Sequence, residues 1–157
     1  MLRALVADRQ VAAVNGTAFA VTPALREAYS AGDDEELAEV AMAEAARASL
    51  RLLASEESGD EPHLTRRAVL AADVDGATPR PDLDFAVVRL TGPVAYDQVA
   101  SVHVDLAEAE EAIAKAMRHV DAADLGDPDA EFVLGDAEDH ELAWYAAQEL
   151  PFLLELL

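Results

Sequence analysis

The sequence contains no cysteine, which excludes disulfides, thiolate metal sites and cysteine nucleophiles. Lysine is nearly absent too: only Lys115 and ten arginines stand against 32 acidic residues, and the net charge is −21. A negative field of this size repels nucleic acids and anionic membrane surfaces. No apolar run approaches the ~20 residues that span a bilayer, and Asp8 and Arg9 interrupt the N-terminal apolar stretch, unlike an export signal. We therefore expect a cytoplasmic protein that binds neither nucleic acid nor membranes.

Apolar residues, in contrast, are abundant. They make up 52% of the 157 residues, which is enough to bury a core. No internal repeat or linker divides the chain, so we predict a single domain over residues 1–157. The excess of carboxylates attracts cations and basic proteins, so a basic protein is the expected partner. The same charge has a simpler explanation, because acidity by itself keeps a protein soluble.

Apolar residues at helical spacing predict several helices. They cover 2–13, 25–31, a long helix from Asp33 or Asp34 through Leu52, 106–120 and 135–149. Thr22 and Pro23 fit the N-cap and the first turn of the second helix, and Asp105 fits the N-cap of the fourth. Pro151 is expected to end the last helix.

Extended segments account for much of the remaining chain. β-forming residues predict strands over 17–21, 68–72, 85–90, 99–106 and 131–134, and residues 55–62 have the composition of a polar loop. The continuous apolar run 68–72 is typical of a central, covered strand. Along 99–106, Ser101, His103 and Asp105 alternate with apolar residues and predict a wet face. This order predicts an α+β fold: a small, mostly antiparallel sheet of three to four strands with helices packed on one face.

One loop has the residue types of a phosphoryl-transfer or calcium site. Asp73-Val-Asp75-Gly76 resembles the nucleophile loop of haloacid-dehalogenase-like phosphatases and the opening of a calcium loop. The calcium pattern needs a glutamate at its twelfth position, which is Asp84 here, and the phosphatase pattern needs a later lysine, for which only Lys115 exists. Asp and Gly are also good turn residues, so a turn is the favoured interpretation.

A second motif lies near the C-terminus. His140-Glu141 followed by Trp144 matches the zinc helix His-Glu-x-x-His except that the second histidine is absent. A metal hypothesis therefore draws carboxylates from two places in the chain. Its candidate ligands are Asp73, Asp75, Asp136, Asp139 and His140. The favoured alternative is a helix N-terminus, where acidic residues are electrostatically stable.

Nucleophilic catalysis finds little support. Ser101, His103 and Asp105 share one face of a predicted strand, but residues two apart on a strand lie about 7 Å apart and point in parallel. They cannot form a Ser-His-Asp triad among themselves. His63 and His119 have no metal-like spacing with the other histidines, and no glycine-rich phosphate loop is present.

The C-terminal part of the chain, residues 119–157, combines eleven acidic residues with apolar ones and has no basic residue. Trp144, Tyr145 and Phe152 either complete the core or form a patch that binds a partner. Burial in the core is the favoured interpretation, because aromatic side chains are valuable packing material.

Several segments resemble an uncharacterised family of small actinobacterial proteins. They are 16–29 (GTAFAVTPALREAY), 32–37, 44–50, 135–145 (GDAEDHELAWY) and 148–151. The resemblance implies a cytoplasmic protein and assigns no activity. Members of that family begin with an additional strand before the first helix, whereas this chain begins at Met1-Leu2. A missing strand would leave a sheet edge unpaired and would favour a homodimer.

Taken together, charge and motifs predict a non-enzymatic acidic binding or interaction module without a cofactor. Two alternatives remain open. One is a metal-assisted hydrolase that uses the Asp/His set named above. The other is a mimic of nucleic-acid charge that occupies a basic protein, in which the carboxylates would form a regular double row on the surface.

Overall fold

The computed structural model describes residues 1–56 and 64–157. Of the predicted polar loop over 55–62, Ser55 and Glu56 end a helix, and the rest of that loop, together with His63, lies outside the described residues.

The described residues form seven α-helices and eight short strands. The helices are α1 (Leu2–Asp8), α2 (Pro23–Ala28), α3 (Asp34–Glu56), α4 (Glu110–Met117), α5 (Val120–Asp124), α6 (Pro128–Glu138) and α7 (Leu150–Leu156). The strands are β1 (Gln10–Val11), β2 (Thr17–Phe19), β3 (Ala68–Ala72), β4 (Ala77–Pro79), β5 (Val87–Leu90), β6 (Val94–Ala95), β7 (Val99–Val104) and β8 (Ala143–Ala146). None of the described helices is both long enough and apolar enough to cross a lipid bilayer.

The strands form three small antiparallel sheets, so the predicted α+β class is confirmed. Their orders are β1-β6, β2-β5-β4 and β3-β7-β8. The prediction that β3 is central is wrong, because β7 occupies the middle of its sheet and β3 an edge. A short apolar run does not reveal which neighbour a strand will have, and Val102 of β7 is more deeply buried than any residue of β3.

The chain divides into two compact units. The first contains residues 1–45, 70–102 and 146–157, and the second contains residues 46–69 and 103–145.

The first unit has its core where α2 and the start of α3 meet β2 and the segment before β5. Leu25, Leu37, Ala41 and Ala86 are buried there, and Phe19 packs against them.

Helix caps in this unit follow the sequence prediction. The Leu25 N–H donates to Thr22 Oγ1 (3.1 Å), and the Thr22 hydroxyl donates to the carbonyl of Phe85. The Glu36 N–H donates to Asp33 Oδ1 (2.8 Å), which confirms Asp33 as the cap of α3.

Helix α1 is shorter than predicted. It stops at Asp8 because Arg9 adopts a left-handed conformation (φ 61°). The Arg9 guanidinium lies 4.2 Å from the centre of the Tyr96 ring, a cation–π contact. Gln10 and Val11 then pair with β6. The apolar spacing of the sequence predicts a helix beyond Asp8, but residues 10 and 11 pair with a strand distant in sequence instead.

The second unit is built around helices. Its core combines Leu50 of α3 with residues of α4, α5 and α6, including Ile113, Val120 and Leu134. The helix predicted over 106–120 is divided: a 3₁₀ turn at Ala107–Ala109 precedes α4, and α5 begins anew at Val120.

The predictions for residues 131–134 and 143–146 are wrong, whereas residues 135–138 are helical as predicted. Residues 131–134 belong to α6 rather than to a strand, and residues 143–146 form β8 rather than a helix. Asp127 caps α6, with its Oδ1 accepting from the N–H of Asp129 (2.9 Å), and Pro128 occupies the first turn. Pro151 likewise lies in the first turn of α7 and does not end a helix, because a first-turn residue needs no N–H.

Candidate functional site

A buried ion pair lies under the candidate site in the second unit. Arg67 and Asp105 have side chains that are 5% and 0% exposed. Arg67 donates from Nε to Asp105 Oδ2 (2.9 Å) and from Nη2 to Oδ1 (2.8 Å), and its backbone N–H also donates to Oδ2 (2.8 Å). The Asp105 N–H in turn donates to the Arg67 carbonyl (3.1 Å). Two parallel charge-assisted bonds fix both side chains in one geometry.

This pair corrects two predictions for Asp105. The residue does not cap a helix, and it does not belong to a wet strand face, because Arg67 compensates the buried carboxylate. Ser101 is buried as well. Both Asp105 oxygens accept from Arg67, so Asp105 does not complete a triad with Ser101 and His103. Partial burial lowers the pKa of His103, which favours its neutral imidazole.

Arg67 also holds the segment that follows α6. Its Nη2 donates to the main-chain carbonyl of His140 (2.7 Å). Residues 139–141 therefore have a fixed path between α6 and β8.

A cavity of about 320 Å³ opens beside this segment. It is lined by Leu106, Glu108, Ala109, Asp139, His140 and Glu141. Three of these residues carry carboxylates, and none is Arg or Lys. Leu106 is exposed and adds an apolar wall, and Ala109 is buried. Such a lining attracts a cationic group that also carries aliphatic carbons.

Three other acidic residues of the second unit form ion pairs with arginine. Arg47 Nη2 donates to Asp124 (3.0 Å) and Glu131 (2.8 Å), and its Nη1 lies 3.6 Å from Glu138. Arg51 Nε donates to Asp124 (2.8 Å). The bond from Arg47 lowers the pKa of Glu131, and the bonds from Arg51 and then Arg47 lower the pKa of Asp124.

The carboxylates of the cavity differ from this network. Within residues 1–56 and 64–157, no Arg, Lys or His side chain forms an ion pair with Glu108, Asp139 or Glu141. These three residues are exposed, so their carboxylates are accessible to a ligand from solvent.

The residues of the metal hypothesis are distributed over both units. Asp139 and His140 line the cavity, whereas Asp136 lies on α6 outside the lining, and Asp73 and Asp75 belong to an exposed turn of the first unit. In the described part of the chain, no group of three or more His, Asp or Glu side chains is arranged to hold a metal ion.

The Asp73 loop is a tight connection between β3 and β4. The Asp73 N–H donates to the Gln98 carbonyl (2.9 Å), and the Thr91 N–H donates to the Gly76 carbonyl (2.9 Å). A Cβ on Gly76 would lie 2.0 Å from Thr91 Oγ1 and 3.0 Å from its Cγ2. The glycine is therefore explained by the close approach of Thr91, which leaves no space for a Cβ.

We expect Gly76→Ala to lower the free energy of unfolding by about 1–3 kcal/mol, because either branch of Thr91 would collide with the new methyl group. Thermal or urea denaturation measures this. Gly135→Ala in α6 is the matched control: its Cβ would meet no described atom within 4 Å, so a gain of about 0.5–1 kcal/mol is expected. Equal stability of the two variants would contradict the packing argument.

The aromatic residues near the C-terminus are not core residues. Trp144 is 61% exposed and Phe152 is 71% exposed, so their predicted burial is wrong. Leu150 and Leu153 fill the buried side of α7 instead, and a residue between them on a helix points elsewhere. Tyr145 is half-buried. The alternative, a patch of Trp144, Tyr145 and Phe152 that binds a partner, stays a prediction.

Comparison with known proteins identifies one family. The model of a family of unknown function (DUF6912) matches residues 1–154, which confirms the resemblance to an uncharacterised family. Neither a curated protein nor a solved structure matches the chain.

Proposed function

The chain belongs to that family of unknown function, and we propose that it is a cytoplasmic, non-enzymatic module that binds a basic protein. The cavity beside residues 139–141 is its contact point, and the group that it accepts is an arginine or lysine side chain of the partner.

The unpaired carboxylates of the cavity carry this proposal. Glu108, Asp139 and Glu141 line one concave site, whereas Arg47 and Arg51 neutralise Asp124 and Glu131 in the same unit. A site that concentrates one sign of charge raises the local concentration of the opposite sign and accelerates association.

The dimensions of the cavity fit the same ligand. The aliphatic stem of a lysine or arginine can lie against Leu106 while its charged head reaches the carboxylates. A concave acidic site can bind a single basic side chain, whereas a mimic of nucleic-acid charge needs a regular double row of surface carboxylates. The cavity therefore favours the first function.

The metal-assisted hydrolase remains a second candidate, because Asp139 and His140 line the same cavity. Titration with Mn²⁺ and Zn²⁺ separates it from the first. A rise in melting temperature with either metal, lost in Asp139→Asn, would favour metal binding, since a ligand that binds only the folded state stabilises it.

The cavity is tested by removing its charges. We expect Glu108→Gln/Asp139→Asn/Glu141→Gln to weaken binding of a synthetic arginine-containing peptide by ~tenfold or more in isothermal titration calorimetry, because its ion-pair partners are lost. The matched control is Asp8→Asn/Asp97→Asn/Glu155→Gln, which removes three exposed carboxylates of the first unit.

The control separates local from overall charge. If the peptide responds to the cavity, the control variant keeps its affinity within ~twofold at physiological salt, where distant exposed charges are screened. Equal losses in the two triple variants would show that net charge alone attracts the peptide, and would refute the cavity as the site.

A further inference from the structure

The first unit has a groove of its own, about 400 Å³ in volume, where α3 begins. Its apolar lining comes from Tyr29, Leu37, Val40 and Ala43. Leu37 is 2% exposed and belongs to the core of this unit, so the groove has a fixed apolar floor. Tyr29 is about half exposed and forms one margin.

The turn between α2 and α3 creates this groove. The Gly32 N–H donates to the Tyr29 carbonyl (3.2 Å), and a Cβ on Gly32 would lie 3.2 Å from Leu37 Cδ2. The backbone therefore passes tightly over Leu37 before α3 begins at Asp34. This close contact leaves the space beside Leu37 and Val40 open.

Two carboxylates border the apolar floor. Glu36 and Glu39 are exposed and lie three residues apart, hence on neighbouring positions of the α3 surface. In the described part of the chain neither has an ion-pair partner, whereas the nearby Asp34 is paired with Arg26. The groove is thus apolar at its base and negative along one side.

We infer that this groove docks an amphipathic, basic segment of the partner protein. An apolar side chain of that segment lies against Leu37 and Val40, and lysine or arginine side chains reach Glu36 and Glu39. Charge complementarity selects this occupant: a second copy of the chain would bring further negative charge to the same surface. Amphipathic helices laid into apolar grooves are a common mode of peptide recognition.

This inference rests on the proposed function, because it assigns a further contact surface for the same basic partner. It is tested with ¹⁵N-labelled protein and a short synthetic peptide of leucine and lysine that has one apolar face as a helix. The control peptide has the same composition in a scrambled order without an apolar face. We expect the first peptide to shift the amide resonances of Tyr29, Gly32, Val40 and Ala43.

Variants of the groove sharpen the test. Glu36→Gln/Glu39→Gln is expected to weaken binding of the amphipathic peptide ~tenfold or more. The control Glu111→Gln/Glu155→Gln makes the same change in net charge and should weaken binding less than ~twofold. Ala43→Arg keeps a good helix former and places a cation in the groove, so binding should be lost while the circular dichroism spectrum stays unchanged.

Each outcome distinguishes the two hypotheses. Equal binding of the scrambled peptide, or shifts confined to residues 106–109 and 139–141, would overturn the groove and leave the cavity standing. Shifts at the groove that the cavity variants do not affect would support the groove as an independent site, and the arginine-containing peptide would still decide the cavity. Absence of saturable binding to either peptide would overturn the groove, and the arginine-containing peptide then decides the cavity separately.

Discussion

Asp105→Ala is expected to lower the free energy of unfolding by about 3–5 kcal/mol, because it leaves the Arg67 guanidinium buried without its counter-charge. Arg67 is 5% exposed and cannot turn to water without moving the segment that precedes β3. A loss of this size is a large share of the stability of an ordinary domain, about 5–15 kcal/mol. Urea denaturation followed by circular dichroism measures it.

A double variant keeps this prediction testable if the single variant does not fold. Arg67→Met/Asp105→Leu removes both charges and replaces them with apolar side chains. Buried ion pairs replaced in this way are often neutral in stability, so the double variant should be much more stable than Asp105→Ala. A double variant as unstable as the single one would show that the pair's hydrogen bonds, and not the unpaired charge, dominate.

Arg47→Met is expected to cost about 2 kcal/mol at pH 7, since one arginine holds Asp124, Glu131 and Glu138 together. The expected loss in free energy of unfolding is modest because these carboxylates are partly exposed and screened by solvent. Arg3→Met removes an exposed arginine and is the matched control, with an expected change within about 0.5 kcal/mol.

The pH dependence of this effect has a definite sign. Arg47 lowers the pKa of Glu131 in the folded state, and Arg51 and Arg47 lower that of Asp124. Lowered carboxyl pKa values stabilise the fold above the unfolded values, near 4, and this stability is lost as pH falls through the folded values. The difference in free energy of unfolding between the wild type and Arg47→Met should therefore be largest at neutral pH and become smaller below about pH 4. A difference that grows in acid would contradict a stabilising role of these ion pairs.

Helix starts in the first unit could be predicted because their signals are local. Thr22-Pro23 and Asp33 each satisfy backbone donors within three residues, and the structure has both caps. The α+β class also follows from local patterns, since it requires only that helices and strands both occur.

The ion pair under the cavity could not be predicted, because its cause is not local. Asp105 continues the polar positions of an alternating strand, and that pattern indicates exposure. Its partner lies 38 residues earlier, next to an apolar run, and only tertiary folding brings the two together. The same limit applies to α6, where the apolar run 132–134 fits a strand or a buried helix face equally well.

The lining of the cavity could not be predicted from the sequence. Residue types alone make Asp139 and His140 candidate metal ligands, but Glu108 and Leu106 come from a different part of the chain and share no motif with them. The exposed positions of Trp144 and Phe152 depend on the phase of β8 and α7. The sequence instead predicts a helix over 135–149, which replaces β8 and ends before α7.

Arg67 donates a hydrogen bond to the main-chain oxygen of residue 140, and every amino acid has that oxygen. The backbone path of residues 139–141 therefore does not depend on which side chain stands at position 140. A substitution at position 140 can therefore change the lining of the cavity while the hydrogen bond that fixes the backbone is kept.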